Sequence, residues 1–436
     1  MSNYNYATIL YVFFSLTNLI NAQDILTVEE AVQIALENNY QIKIAANELQ
    51  IDEVSMSVGN AGMLPQVGLN LIDNNSVQYL SQTRSDGSVV ERDNAKNNSL
   101  NYGIALDWTL FDGLKMFADY EQLKETRKLG EAQLKQVILN KVGEVMITYF
   151  DLVQQKQQLT ALDSTIIISE QRVDLAYNRF TIGKASKLEV LNAQVDLNTD
   201  ETLMQRQKEL YVNTKVQLNE YLARDLKIDF EVVPEIFVDQ ALQLPELETL
   251  VAKENPTLQV EQINKRISEL ELKQTKALRY PTIFASTGYN FGRTESSLGF
   301  TTSSNSRGWN YGFGASLNVF DGFNQNRNEK IAKIQIENTE VAIAQRTQEL
   351  MSLVNTTYQT YLTNISLIEL EGKNEEIAQE NMEITVEKYR IGIIPTIEFR
   401  TAQLNYINAK VRYSNAKFQA KLSEIILKQL AGNLVL

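Results

Sequence analysis

Between Ser99 and Phe111 apolar and polar side chains alternate strictly. Leu100, Tyr102, Ile104, Leu106, Trp108 and Leu110 fall on one face, opposite Asn101, Gly103, Ala105, Asp107 and Thr109. A period of two predicts a β-strand with two unlike faces. The pattern returns with Tyr311, Phe313, Ala315, Leu317 and Val319 against Asn310, Gly312, Gly314, Ser316 and Asn318. Val67, Leu69 and Leu71, and Ile283, Ala285, Tyr289 and Phe291, mark the partner strands. Four strands are therefore expected, at about 66–80, 99–111, 281–292 and 309–320, with polar loops over 81–98 and 293–308.

The remaining periodicity is helical. Residues 114–180 and 323–390 contain no proline, and apolar residues recur in them at steps of three and four. One set is Val137, Ile138, Val142, Val145, Tyr149, Leu152 and Val153; the other is Leu350, Leu353, Val354, Tyr358, Tyr361, Leu362, Ile365 and Ile368. Lys, Glu and Gln lie between them, as along a coiled-coil seam. A continuous helix over 114–180 would be about 100 Å long at 1.5 Å per residue, so it needs lateral partners along its length. Returning helices are expected at 188–222 and 398–430. Medium helices at 39–63 and 255–279 would stack end to end with them and complete a second arm.

The two sets are copies of one plan. Phe111, Asp112 and Gly113 recur as Phe320, Asp321 and Gly322, 209 residues later. The same offset aligns Arg179–Val195 with Lys388–Leu404 without a gap, with identical Ile, Gly, Glu, Ala and Gln. Upstream, Leu64-Pro65 matches Tyr280-Pro281, and Asn39 matches Asn255, at an offset of 216. The chain is thus expected to hold two structural repeats, 23–237 and 238–436, each with a strand hairpin and a long helical hairpin (about 114–222 and 323–430).

Residues 7–20 form an apolar run of 14, too short for a membrane-spanning helix, which needs about 20. The run reads as the core of a signal peptide covering 1–22, although no Lys or Arg precedes it. Export changes the meaning of the strands. Segments of this length with one polar or small face and one aliphatic and aromatic face match membrane barrels. Four strands cannot close a barrel, because about eight is the minimum, and an open edge in hydrocarbon leaves backbone groups unpaired. Several copies must then contribute strands to one barrel; the bland alternative is a soluble pair of hairpins.

Composition removes most chemistry. The chain has 436 residues, no Cys and no His, which excludes thiol nucleophiles, disulfides, imidazole-ligated metals and a Ser-His-Asp triad. A formal charge of −13 provides no excess of cations for binding nucleic acid. Neither a phosphate loop nor a pair of carboxylates at catalytic spacing is present, and the scattered Asp and Glu read as solvated helix faces. No enzymatic activity, cofactor or metal is expected.

With these motifs in order, the chain resembles the TolC-type outer membrane efflux proteins (outer membrane factors). The resemblance covers nearly the whole chain after the signal peptide. It rests on the duplication, the Leu-Pro before the strands, the Phe-Asp-Gly junctions, and the G-x5-Glu turn followed by Ala-Gln. It implies a mixed α and β membrane protein: a homotrimer with four strands per copy in a shared 12-stranded transmembrane barrel, continued by a coiled-coil periplasmic tunnel. It also implies a passive exit duct of a tripartite efflux or type I secretion system in the outer membrane of a Gram-negative bacterium. Its partners would be outer-membrane lipid, a periplasmic adaptor and an inner-membrane pump.

On matching positions, Ile182, Gly183, Lys184, Ile391, Gly392 and Ile393 fall at the family's adaptor-contacting tip. The two glycines alone are equally explained by tight turns. Glu189 and Glu398 fall at the periplasmic gate, where rings of carboxylates would favour cations; placement beside a helix dipole is the alternative. The family's second acidic gate position is Thr401 here. Asp112, Gly113, Asp321 and Gly322 would be structural strand-to-helix junctions. A non-conducting coiled-coil spacer or adhesin is the rival reading.

Overall fold

A computed structural model describes residues 25–297 and 301–434. The signal-peptide assignment at 1–22 lies outside the described residues. The chain divides into two compact units, one of Met1–Ala46, Gln133–Leu258 and Arg346–Leu436, the other of Asn47–Ala132 and Gln259–Gln345. Each unit draws on both sequence repeats.

Within the first unit, β1 (Ile25–Leu26) pairs in parallel with β4 (Glu231–Val232). The pair buries Leu26 and Val232 in a core with Val145, Tyr149, Leu152 and Val153. The Tyr149 hydroxyl donates to the Leu26 carbonyl (2.9 Å) and accepts from the Val233 amide (3.2 Å), so it ties both short strands to the long helix. Helix α1 (Val28–Asn38) starts at a capping box, in which Thr27 and Glu30 each bond the other's backbone amide. It is followed by α2 (Tyr40–Ser55), which ends short of the expected 63. The chain's long helices are α3 (Lys115–Thr181) and α7 (Asn324–Arg390), each of 67 residues; the returning helices are α4 (Lys187–Tyr221) and α8 (Thr396–Leu430), each of 35. Helices α5 (Leu244–Glu254) and α6 (Pro256–Ala277) are the remaining helices among the described residues. Of the seam residues, Val145, Leu152, Val153, Val354 and Tyr361 are buried, whereas Leu353 and Leu362 are exposed.

The matching Asn39 and Asn255 acquire a physical role. Asn39 Nδ2 donates to the carbonyl of Tyr221, the last residue of α4, at 2.8 Å, while its Oδ1 accepts from the amides of Gln41 and Ile42 in α2. One side chain thus satisfies orphan groups at the end of one helix and the start of the next. Asn255 repeats the arrangement between the Leu430 carbonyl of α8 (2.9 Å) and the Leu258 amide of α6 (3.1 Å).

The second unit holds an antiparallel sheet of order β2-β3-β5-β6, formed by β2 (Gln66–Thr83), β3 (Val89–Phe111), β5 (Thr282–Ser296) and β6 (Ser303–Ser316). Two expectations are corrected. Residues 81–98 and 293–308 are mostly strand, not loop: β2 and β3 stay paired to Thr83↔Val89 around a turn in which Arg84 and Ser88 bond at 2.8 Å. Backbone ladders do not need apolar side chains, and alternation marks only the part of a strand with an apolar face. In the opposite direction, β6 ends at Ser316 instead of 320. Its last partner is Thr282, and the next residue of that neighbour is Pro281, which has no N–H for the ladder.

The apolar face of the sheet is strongly exposed: Leu69 is 86%, Tyr311 84% and Phe313 81% accessible. Cross-strand aromatics order it, Tyr102 stacking on Phe291 (5.0 Å between centroids) and Tyr289 meeting Trp309 edge-on (5.3 Å). Both β2 and β6 are edge strands, and among the described residues no further strand pairs with their outer sides. Among the described residues, no helix is long and apolar enough to cross a membrane.

Candidate functional site

At the strand-to-helix junctions the two Phe-Asp-Gly motifs share a geometry. Asp112 Oδ2 accepts from the Met116 amide (2.9 Å) and Asp321 Oδ2 from the Gln325 amide (2.7 Å), each satisfying a first-turn donor. Gly113 and Gly322 have φ of 76° and 68°. Their surroundings differ: a Cβ at Gly113 would lie 2.2 Å from the Ala277 carbonyl oxygen, while nothing lies within 4 Å at Gly322.

The two helical turns are also equivalent. In the first, the Gly183 amide bonds the Phe180 carbonyl (2.9 Å) and the Lys184 amide the Arg179 carbonyl (2.8 Å). In the second, Gly392 bonds Tyr389 and Ile393 bonds Lys388, both at 3.0 Å. These are paired Schellman motifs, which need a left-handed residue; Gly183 and Gly392 have φ of 75° and 82°. The turns display Ile182, Ile391 and Ile393, each about two-thirds exposed, beside exposed Lys184. Leu188 and Ile397, which the sequence did not single out, extend the apolar surface onto the first turns of α4 and α8.

Ser186 and Pro395 occupy the same N-cap position with nearly the same backbone, φ −83° and −77°. Ser186 caps the Glu189 amide with its hydroxyl (3.3 Å), whereas proline supplies only its fixed φ. The next residue, Thr396, has its hydroxyl free to donate to Glu189 Oε1 (2.9 Å).

The two glutamates at equivalent positions are in different situations. Glu189 Oε1 also accepts from the Tyr389 hydroxyl (3.3 Å) and lies 3.7 Å from Arg179. Its carboxylate therefore joins the turn of one helical hairpin to that of the other. The Glu398 side chain is exposed, and none of the described residues supplies it with a charged partner.

Further along the same helices lies a polar network that sequence reasoning missed. Asp200, 1% exposed, accepts two bonds from Arg400 (2.8 Å each) and one from the Ser169 hydroxyl (2.6 Å). Arg400 also donates to Gln403 Oε1 (2.9 Å), and Gln403 Nε2 donates to the Ser169 hydroxyl (2.8 Å). Arg172, 3% exposed, pairs with Asp196 (2.7 Å), and its guanidinium lies over the Phe399 ring. Burial alone would depress the Arg400 pKa, but Asp200 and Asp196 hold it above the ordinary value. The network binds α3, α4 and α8 together. Glu424 is buried in the same way between Lys421 (3.0 Å) and Lys428 (2.8 Å). The expectation that scattered acids are solvated faces is therefore wrong for Asp200 and Glu424. Asp200 meets a partner 200 residues away, so no local spacing reveals the pair.

Among the described residues, no group of three or more acidic side chains is placed to hold a metal ion.

The fold is shared with solved outer-membrane channels. The Campylobacter jejuni CmeC outer membrane channel matches with a TM-score of 0.79 at 17% identity, over 93% of this chain and 85% of that one. The outer membrane protein VceC from Vibrio cholerae matches at 0.75 and 13% identity, over 93% and 96%. The Neisseria gonorrhoeae MtrE outer membrane channel, solved in its open state, matches at 0.72 and 15%, over 93% and 89%. No curated protein matches by sequence. The sequence profile described as "Outer membrane efflux protein" covers residues 31–224 and 249–433, two segments that correspond to the internal duplication. The chain belongs to the outer membrane efflux protein family.

Proposed function

We propose that three copies of this chain form a passive exit duct: a shared 12-stranded barrel in the outer membrane of a Gram-negative bacterium, with the helices as a periplasmic tunnel. Substrates would arrive from an inner-membrane pump through a periplasmic adaptor docked on Ile182, Lys184, Ile391 and Ile393 around the turns at Gly183 and Gly392. The observation that carries this reading is the sheet. It has two open edges and a highly exposed apolar face, a combination that is stable in hydrocarbon only when neighbouring copies close the edges. The duct uses no catalytic group and no cofactor. The mass of the detergent-solubilised assembly tests the stoichiometry: three chains are expected, and a stable monomer would refute the shared barrel.

In this reading the turns gate the duct. Glu189 holds the two hairpins of one copy together, and Glu398 presents its carboxylate to the mouth. A hydrogen bond to a charged group contributes about 1.5–3 kcal/mol. Glu189→Ala is therefore expected to raise the open probability of single channels about ten- to a hundredfold. Glu398→Ala is expected to weaken block by divalent cations without that increase. Unchanged block in Glu398→Ala would assign Glu398 to helix-dipole stabilisation.

A further inference from the structure

Close to the two turns, α3, α7 and α8 enclose a cavity of about 410 Å³. Its floor is buried and consists of Arg172 from α3, Tyr389 from α7 and Phe399 from α8. Half-buried Ile168, Leu175 and Val386 form apolar walls. The volume falls in the range of small-molecule sites, about 300–1,000 Å³, and the lining has their usual character, apolar and aromatic with few polar groups. Arg172 is the unusual member, because it is only 3% exposed. Its guanidinium lies over the Phe399 ring and its Nη2 donates to Asp196 (2.7 Å). Its Nε and Nη1 are buried with no hydrogen-bond partner among the described residues. Unmade buried donors are costly, more so on a charged group, and call for an acceptor.

We propose that this cavity binds a small uncharged molecule with an aromatic body and a carbonyl-type acceptor, which takes up the spare N–H groups of Arg172 and fastens the two helical hairpins together. Charge decides against an anion. Arg172 is already matched by Asp196, and the exposed rim carries Asp174 and Glu387 against Arg390. A cation would meet the guanidinium itself. A neutral acceptor satisfies the donors without adding charge, while Phe399 and the apolar walls receive the rest of the molecule. Helix α3 belongs to the first hairpin, and α7 and α8 to the second, so a ligand touching all three binds only while the hairpins lie side by side. The consequence for conduction rests on the reading of the turns as a gate: binding shifts the duct toward its closed form.

The probes are 4-phenylbutanamide and 4-phenylbutanoate, which share a body and differ in charge. Equilibrium dialysis against the detergent-solubilised full assembly, with empty micelles as control, reads binding independently of conduction. Saturable binding of the amide is expected at one site per chain, about tenfold or more tighter than that of the butanoate. Arg172→Met should weaken it about ten- to a hundredfold, the worth of hydrogen bonds from a charged donor. Val386→Trp retains Arg172 and fills the wall; it should abolish binding, and it decides the matter where Arg172→Met does not assemble. No saturable binding to wild type overturns the site, whether water fills the cavity or a neighbouring copy covers it. Equal or tighter binding of the butanoate overturns the uncharged class, and unchanged binding in Val386→Trp overturns the location. In planar bilayers, amide at about ten times its dissociation constant should lower the open-to-closed ratio about elevenfold. An unchanged ratio at saturation overturns the link between the hairpins. An assembly that binds the amide as expected but never conducts overturns the duct and leaves the site standing.

Discussion

Asp200→Ala is expected to loosen the helices near the turns more than any other single change to a charged side chain there. The carboxylate is almost fully buried and accepts three hydrogen bonds, two from Arg400 and one from Ser169. Its loss leaves the guanidinium of Arg400, only 13% exposed, with Asp196 at 3.7 Å as its nearest remaining acid. Removing one partner of a buried ion pair typically costs about 3–5 kcal/mol, because the other charge stays behind without compensation. Amide hydrogen exchange in α4 around residues 193–204 reads the effect directly. Exchange there should accelerate by about two to four orders of magnitude relative to wild type, while the sheet is unchanged. Asp200→Leu combined with Arg400→Met should recover much of the protection, since apolar replacement of a whole buried pair is often close to neutral. Equal protection in wild type and Asp200→Ala would show that the network carries no stability.

Gly113→Ala and Gly322→Ala are expected to differ sharply although the glycines occupy equivalent places in the two repeats. Both have left-handed backbones, for which a Cβ costs about 1–2 kcal/mol. At Gly322 that is the whole effect, since the added atom meets open space. At Gly113 the Cβ would also sit 2.2 Å from the Ala277 carbonyl oxygen and 2.9 Å from the Tyr280 Cβ. The first of these is backbone, so the end of α6 must move away from the end of β3. Overpacking of this kind adds about 1–3 kcal/mol. Thermal dissociation of the assembly in detergent should therefore fall much further for Gly113→Ala than for Gly322→Ala. Equal midpoints would mean that the junction yields without strain.

These two cases also mark how far the sequence could be read. The junction aspartates, the long and returning helices and the duplication are legible because each depends on local periodicity or on a string that recurs at one offset. Strand lengths are only half legible. The apolar alternation in β3 starts near Leu100, yet the strand begins at Val89, because its outer half pairs through the backbone ladder and polar side chains such as Asn97, without an apolar face to mark it. At β6 the limit is set by a proline on the neighbouring strand, information that lies outside the strand being read. Asp200 and Arg400 are invisible for a similar reason. On a helix rich in Glu, Gln and Lys they look like solvated positions, and only the packing of α4 against α8 brings them together. The difference between Gly113 and Gly322 is hidden too: identical tripeptides meet different neighbours. For Pro395 and Ser186 the structure supplies what the alignment lacked, a common N-cap backbone reached by two kinds of residue.

The fold and family describe a duct, and conduction is the property that separates a duct from a non-conducting spacer built on the same helices. The most direct measurement is single-channel recording of the purified assembly in planar lipid bilayers. Discrete conductance steps are expected, infrequent in wild type and more frequent in Glu189→Ala. Fully assembled, folded protein that inserts into the bilayer and gives no conductance in either form would contradict the account.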